Sequence, residues 1–217
     1  MQIPYYKYAF QTPLRQLLAS VSLFIIASLP VSAESDTIAT GAIDSHSKIE
    51  HVLTKFTNLS DIKKVQRINR FVNKLDNVTD QKLWGKRDYW ATPKELFKKG
   101  AGDCEDLAIA KYYLLIKFGV DESKLRLAYV KAFNSDNGAI EDHLVLLYQA
   151  RSDSAPLVLD NLTDAIQSTE QRNDLILQIA FNREQSWPLN DSFSEQTLQH
   201  SSVLHAWQAF IPRLKID

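Results

Sequence analysis

The chain has 217 residues, of which 45% are apolar and 24% are charged, the composition of a soluble globular protein with a substantial core. Its 25 basic and 26 acidic residues give a formal net charge of −1, so no excess of positive charge indicates nucleic acid as a partner. The single cysteine excludes an internal disulfide framework and a cysteine-rich zinc site.

The first 33 residues have the order of a secretory signal peptide. Lys7 and Arg15 form a basic start, an apolar run covers residues 17–29, and the small residues before position 34 fit cleavage after Ala33. A membrane span needs about 20 apolar residues, so this run is short for the alternative, an uncleaved anchor. We therefore expect export to the periplasm without stable membrane insertion.

The rest of the chain is predicted to be a flexible lead-in at residues 34–45 and one domain at residues 46–217. Apolar positions recur at three- and four-residue steps over residues 60–75, a spacing typical of an amphipathic helix. Further helices are predicted at 46–58, 92–100, 103–118 and 194–210, and strands at 125–133, 140–149, 157–160 and 175–181. Short turns between neighbouring strands indicate antiparallel pairing. The expected fold class is α+β, with N-terminal helices packed on an antiparallel sheet.

Cys104 lies in the sequence GDCED, at the predicted start of the helix 103–118. The positive end of the helix dipole and the unpaired backbone N–H groups favour a thiolate there. The same N–H groups can stabilise an oxyanion, and Gly102 leaves room for a substrate carbonyl. The alternative is a buried structural cysteine, but the glycine-flanked position at a helix start favours a nucleophile.

A nucleophilic cysteine needs an imidazole within hydrogen-bond reach. His143 is the best candidate because it lies in the middle of an otherwise apolar strand, where an imidazole usually has a partner. Asp160 ends the next predicted strand, and a carboxylate there can orient the imidazole. Each residue has an ordinary alternative, a core histidine bonded to the backbone and a turn aspartate. The order Cys, His, Asp on helix, strand and next strand is a stronger signal than any one of them.

These segments resemble the bacterial transglutaminase-like cysteine proteases, and among them the LapG-type periplasmic proteases. The resemblance is best over residues 90–160. It rests on residues 102–108 (GDCEDLA), 142–145 (DHLV) and 157–161 (LVLDN). It implies a papain-like, transglutaminase-like cysteine protease fold.

The resemblance also implies roles for the three residues: Cys104 as nucleophile, His143 as general base and acid, and Asp160 as the residue that orients the imidazole. It further implies cleavage of the N-terminal region of a large surface adhesin at a paired-alanine site, which releases the adhesin and disperses a biofilm. In that family an inner-membrane receptor that senses cyclic di-GMP holds the protease inactive in the periplasm. The adhesin and the receptor are therefore the expected partners.

The acidic residues beside Cys104 indicate a cation. Asp103 and Glu105 place negative charge next to a group that should itself become negative, and this raises its pKa. The helix dipole offsets about half a charge, and oxygen ligands select a hard ion such as calcium. The resemblance implies calcium binding by Asp103 and Glu105; Asp106 and Asp142 are candidate further ligands from the residues alone. The alternative is that the acids only cap the helix.

Two other functions stay open from the sequence. A transglutaminase would use the same three residues but transfer the acyl group to an amine instead of water. A non-catalytic binding module on the same fold belongs to a different class, and the presence of all three candidate residues argues against it.

Overall fold

The computed structural model describes residues 56, 58–135, 137–189 and 201–216. The predicted signal peptide and lead-in lie outside these residues, as do nearly all of the helix predicted at 46–58 and the first part of the helix predicted at 194–210.

Five α-helices and one short 3-10 helix occur in the described ranges. They are α1 (Asp61–Val72), α2 (Asp80–Trp84), α3 (Pro93–Lys99), α4 (Cys104–Lys117), the 3-10 helix Glu122–Lys124 and α5 (Ser202–Leu214). Helix α3 begins with the predicted capping pattern, since Thr92 and Glu95 form a reciprocal capping box. Its C-cap, Gly100, has a φ of 72°, a left-handed conformation that glycine adopts without steric cost.

The strands form one main antiparallel sheet and a small parallel pair. They are β1 (Asp76–Asn77), β2 (Ala101–Gly102), β3 (Leu125–Phe133), β4 (Ile140–Tyr148), β5 (Leu157–Leu159), β6 (Gln167–Ser168), β7 (Leu175–Phe181) and β8 (Ser186–Pro188). The order of the six-stranded sheet is β6-β5-β4-β3-β7-β8, and every pairing in it is antiparallel. Strands β1 and β2 pair with each other in parallel. The predicted α+β class is confirmed.

The main core lies between α4 and the sheet. Helix α4 is apolar around most of its circumference, as predicted, and it packs with α1 and α5 against one face of strands β3, β4 and β7. Because side chains alternate along a strand, the other residues of β3 and β4 form a second, smaller apolar cluster on the opposite face. Trp207 of α5 is buried against Tyr112 of α4 and Phe181 of β7.

The part of β4 that does not pair with β5 lies next to the start of α4. Strand β4 pairs with β3 along its whole length, but β5 pairs only with its last three residues, 146–148. The backbone N–H of Leu144, in the part that β5 does not cover, donates to Sγ of Cys104. The first residue of α4 therefore lies beside the middle of β4.

The structure differs from the sequence predictions in three local respects. Helix α1 ends at Val72, before the predicted limit of 75. Strand β5 ends at Leu159 rather than Asp160, because the Asp160 carboxylate accepts the backbone N–H of Leu162 in a turn. The short elements α2, β1, β2, β6 and β8 were not predicted, since two to five residues carry too little periodicity.

No helix in the described ranges combines the length and apolar character of a membrane span.

Candidate active site

Cys104 is the first residue of α4 and follows its N-cap residue, Asp103. The Asp103 carboxylate accepts the backbone N–H of Asp106 at 3.5 Å. The thiol is partly buried, at the helix end where unpaired N–H groups collect. The predicted placement of Cys104 at a helix start is therefore confirmed.

Two contacts define the surroundings of the thiol. Sγ donates to Oε2 of Glu105 at 2.9 Å and accepts the backbone N–H of Leu144. Burial raises the pKa of Cys104 well above its ordinary value, and the negative charges of Glu105 and Asp103 raise it further; only the Leu144 bond acts in the opposite direction. These effects favour the neutral thiol, and a counter-charge beside Glu105 and Asp103 would favour the thiolate.

His143 and Asp160 lie together in a buried hydrogen bond. Nε2 of His143 lies 2.7 Å from Oδ1 of Asp160, and the two residues are 6% and 1% exposed. Within the described residues, Nδ1 of the imidazole makes no hydrogen bond and is the ring nitrogen left for a second partner. His143 immediately precedes Leu144, whose N–H contacts Sγ. The structure thus brings all three residues predicted from the sequence into one region.

Three carboxylates form a tight acidic group beside Cys104. One oxygen from each of Asp80, Asp103 and Asp106 lies within 4.8 Å of the others. Asp80 is 5% exposed and Asp106 is 1% exposed. Oδ1 of Asp80 and Oδ2 of Asp106 are buried without a hydrogen-bond partner among the described residues. Buried unpaired carboxylate oxygens are costly, so this donor set fits a hard divalent cation such as calcium.

The pKa shifts in the acidic group also support a cation site. Burial and the charges of Glu105, Asp106 and Asp80 raise the pKa of Asp103 to about 9. Burial also raises the pKa of Asp106 to about 7, against the bond from the backbone N–H of Ala91. Burial and, to a smaller extent, repulsion between the carboxylates therefore both oppose their ionisation.

The other acids predicted near the metal have different surroundings. Glu105 accepts the Cys104 thiol, and its charge raises the pKa of Asp103, so it links the acidic group to the thiol, and its role as a ligand stays a prediction. Asp142 is 60% exposed in its side chain and bonds to Tyr129 and Lys131. Among the described residues it is not part of the acidic group.

Asp80 is the member of the acidic group that the sequence did not predict. It follows the N-cap Thr79 of the five-residue helix α2, where an acidic residue is ordinary helix-start chemistry. No spacing relates it to Cys104, which lies 24 positions later. It is brought to the group by the β1–β2 pairing and by the bond from the backbone N–H of Tyr89 to its carboxylate.

Gly102 makes the close packing of the acidic group feasible. A Cβ atom at this position would lie 2.7 Å from Oδ2 and 2.8 Å from Cβ of Asp106, and 2.5 Å from Cδ1 of Leu96. These distances are shorter than any normal contact, so only glycine leaves Asp106 in place. The sequence predicts that Gly102 leaves room for a substrate carbonyl; the structure adds this role toward the carboxylate.

The fold, with a cysteine at the start of a helix packed on an antiparallel sheet, defines the class of transglutaminase-like cysteine proteases. The family described as "Bacterial transglutaminase-like cysteine proteinase BTLCP" matches residues 42–189. This chain belongs to that family.

Solved structures of LapG from Legionella pneumophila are similar to the chain. One is 29% identical, with a TM-score of 0.64, and the match covers 78% of this chain and 87% of that one. An EGTA-treated form is 28% identical, with a TM-score of 0.65 and the same coverage. A calcium-bound form is 28% identical, with a TM-score of 0.61, over 76% of this chain and 89% of that one. Comparison with curated protein sequences gives no significant match.

The predicted family is therefore confirmed, and the chain is a LapG-type cysteine protease. The transglutaminase-like fold expected from the resemblance is confirmed with it.

Proposed function

We propose that the chain is a calcium-dependent endopeptidase whose catalytic residues are Cys104, His143 and Asp160. The observation that carries this proposal is the 2.7 Å bond between His143 and Asp160, which lies one residue from the strand position that contacts Sγ of Cys104. Membership of a cysteine protease family supports the same assignment.

The chemistry follows from the atoms that each residue offers. Asp160 holds Nε2 of His143 and leaves Nδ1 to take the proton of the Cys104 thiol. The thiolate attacks the scissile carbonyl carbon, while the N–H groups at the start of α4 stabilise the oxyanion. Nδ1 then returns the proton to the departing amine. Water hydrolyses the resulting thioester and regenerates the thiol.

Calcium is the proposed activator of this site. Asp80, Asp103 and Asp106 would hold the ion, with Glu105 as a further candidate that also contacts the thiol. A bound divalent cation offsets the carboxylate charge that raises the pKa of Cys104. The unpaired oxygens of Asp80 and Asp106 support this site, and a calcium-bound form is known for the similar LapG structure.

The substrate, location and regulation are proposed from the likeness to LapG. We propose that the protein acts in the periplasm after removal of residues 1–33 and cleaves the N-terminal region of a large surface adhesin at a paired-alanine site. Release of the adhesin would disperse a biofilm, and an inner-membrane receptor for cyclic di-GMP would sequester the protease. Detection of a mature N-terminus at residue 34 in a periplasmic fraction tests the location.

The direct test is incubation of the purified protein with an adhesin N-terminal fragment that contains paired alanines. We expect cleavage in calcium, none in excess EGTA, and none with Cys104→Ala in either condition. Mass analysis of the products identifies the scissile bond. His205→Ala, which alters an exposed histidine of α5, is the matched control for His143→Ala and should retain full activity.

The same experiment separates the other functions. Cross-linked species without cleavage would establish acyl transfer to an amine, because both reactions pass through the same thioester. An unchanged biofilm phenotype with Cys104→Ala would favour a non-catalytic binding module. Full cleavage in excess EGTA would contradict the calcium proposal and leave the protease in place.

A further inference from the structure

The carboxylate of Asp160 is anchored through both of its oxygens. Oδ1 accepts from Nε2 of His143 at 2.7 Å and from the backbone N–H of Leu162 at 3.0 Å. Oδ2 accepts from Nη2 of Arg172 at 2.7 Å. The Asp160 side chain has no exposed surface, so water does not replace any of these bonds.

Arg172 is itself held in place from its other side. It is 5% exposed, and its guanidinium makes a two-pronged contact with Asp174, through Nε to Oδ1 at 2.8 Å and Nη2 to Oδ2 at 2.7 Å. Paired bonds of this kind fix the guanidinium plane as well as its position. Leu175, the first residue of β7, donates its backbone N–H to the Arg172 carbonyl at 3.1 Å. Arg172 is therefore tied to the sheet.

The main sheet does not by itself fix the direction of the Asp160 side chain. Pairing of β5 with β4 stops at Leu159, and Asp160 lies in the turn that follows. The side-chain amide of Asn73, the C-cap residue of α1, donates to the backbone carbonyl of Asp160 at 2.8 Å. This bond does not restrict rotation of the Asp160 carboxylate. Without Arg172, Oδ2 would be a buried oxygen without a partner, which is costly for an ionised carboxylate.

A buried lysine lies near Asp160 and makes no hydrogen bond to it within the described residues. Lys111 of α4 is 1% exposed, and burial lowers its pKa to about 7 against the charges of Asp160 and Asp164. Burial opposes ionisation of Asp160, but the bonds from His143, Leu162 and Arg172 lower its pKa below the ordinary range. Lys111 thus gives Asp160 no directional bond, whereas Arg172 donates directly to Oδ2.

We propose that Arg172, clamped by Asp174, is a positioning residue that holds the Asp160 carboxylate in the orientation that binds Nε2 of His143. This inference rests on the proposed function, because it assigns Arg172 a role in presenting Nδ1 to Cys104. An ionised carboxylate only accepts hydrogen bonds, so the arrangement keeps the imidazole proton on Nε2. Arg172 acts through Asp160 and does not touch the reacting atoms.

Three variants test this role against a matched control. Arg172→Met removes the bond to Oδ2, Arg172→Lys keeps the charge but loses the two-pronged geometry, and Asp174→Asn weakens the clamp at a residue whose side chain is 43% exposed. Arg183→Met is the control, since Arg183 forms a comparable ion pair with Glu122 and none with Asp160. If Arg172→Met does not fold, Arg172→Lys and Asp174→Asn carry the test.

The readouts are kinetic and spectroscopic, measured on the whole protein at saturating calcium. A displacement of about 1 Å can lower a rate by roughly 100-fold. We expect that loss in kcat for Arg172→Met, a loss of about 10-fold for Arg172→Lys and Asp174→Asn, and KM within twofold of wild type throughout. Nitrogen-15 spectra of the imidazole, assigned with His143→Gln, should show the Nε2–H tautomer in wild type. We expect a mixture of tautomers in Arg172→Met.

The outcomes separate this inference from the proposed function. The spectra need no substrate, so Arg172 is tested even if the wild-type protein cleaves nothing. Wild-type kcat and an unchanged His143 spectrum in the folded variants would overturn the inference while leaving the protease assignment intact. A fall in kcat with Arg183→Met as large as that with Arg172→Met would also overturn it, because the effect would then not be specific to the contact with Asp160.

Discussion

The candidate active site contains two groups of buried charges, and they differ in how their charge is balanced. On one side, Asp160 has Arg172 as an ion-pair partner and His143 as a hydrogen-bond partner. On the other, the acidic group of Asp80, Asp103 and Asp106 has no ion pair with a lysine or arginine of the described residues. The Asp160 carboxylate has its counter-charge within the protein, whereas the acidic group has none among the described residues.

This difference explains why the two groups are suited to different tasks. Because the Asp160 carboxylate is paired with Arg172, its geometry does not depend on a bound cation, and this suits the orientation of an imidazole. An unbalanced group changes its protonation or binds a cation, which suits regulation by calcium. Burial raises the pKa of Cys104, and the charges of Glu105 and of Asp103, a member of the unbalanced group, raise it further. A cation bound at the acidic group would therefore offset part of the charge that opposes ionisation of the thiol.

The largest expected effect comes from breaking the balanced group with Asp160→Asn. The imidazole loses its charged acceptor, and we expect kcat to fall roughly 1,000-fold or more. Arg172 keeps its bond to Asp174 but loses its buried partner, so the free energy of unfolding should fall by about 3–5 kcal/mol. Kinetic assays and urea titration measure both changes.

Cys104→Ala and Asp153→Asn are the controls for that prediction. The first should lose the activity while keeping the stability, and the second alters an exposed pair with Arg151 and should change neither. Wild-type stability in Asp160→Asn would show that the pair with Arg172 does not hold the fold together.

When calcium is removed, the acidic group should make the free energy of unfolding depend on pH. The raised pKa values of Asp103, about 9, and Asp106, about 7, mean that the metal-free folded state keeps protons that the unfolded chain loses above pH 4. The free energy of unfolding in EGTA should therefore fall as the pH rises from 5 to 8. The slope is at most about 1.4 kcal/mol per pH unit for each retained proton.

Calcium should oppose this fall, because the ionised carboxylates then have a counter-charge and binding improves as they lose their protons. Urea titrations at pH 5, 6, 7 and 8, with calcium and with EGTA, measure the effect. If both series had the same pH dependence, the acidic group would not be the calcium site.

An intermediate effect is expected from Gly102→Ala. The added methyl group would contact Asp106 and Leu96 at less than 3 Å, so the Asp106 carboxylate must move out of the acidic group. We expect a loss of about 1–3 kcal/mol in stability and at least tenfold weaker calcium binding by calorimetry.

Gly100→Ala is the matched control for this substitution. Gly100 has a φ of 72°, and a methyl group added there would have no atom within 4 Å, so alanine adds local backbone strain but does not touch a carboxylate. Its calcium affinity should equal that of wild type. Equal weakening in both variants would mean that Gly102 acts through general stability.

Most of the groups that the sequence predicted lie on long, periodic elements, and Asp160, in the turn after β5, was predicted from its order after Cys104 and His143; the groups that it missed lie on a short helix or in a turn. Cys104 and His143 sit on α4 and β4, whose spacing and composition are distinctive. Asp80 and Arg172 lie on a five-residue helix and in a turn. Their contacts depend on tertiary packing, for which neighbouring residues give no signal.

The smallest effect is expected from Asp142→Asn, which sharpens the distinction between acids inside and outside the acidic group. Asp142 is a candidate calcium ligand from the sequence, but its carboxylate is 60% exposed and bonds to Tyr129 and Lys131. Exposed ion pairs contribute about 0–1 kcal/mol, so stability should change little and calcium affinity not at all. Asp106→Asn, measured beside it by calorimetry, should weaken calcium binding strongly. If Asp142→Asn weakened binding as much as Asp106→Asn, the ion would be held on the β4 side of Cys104, and the acidic group would need another explanation.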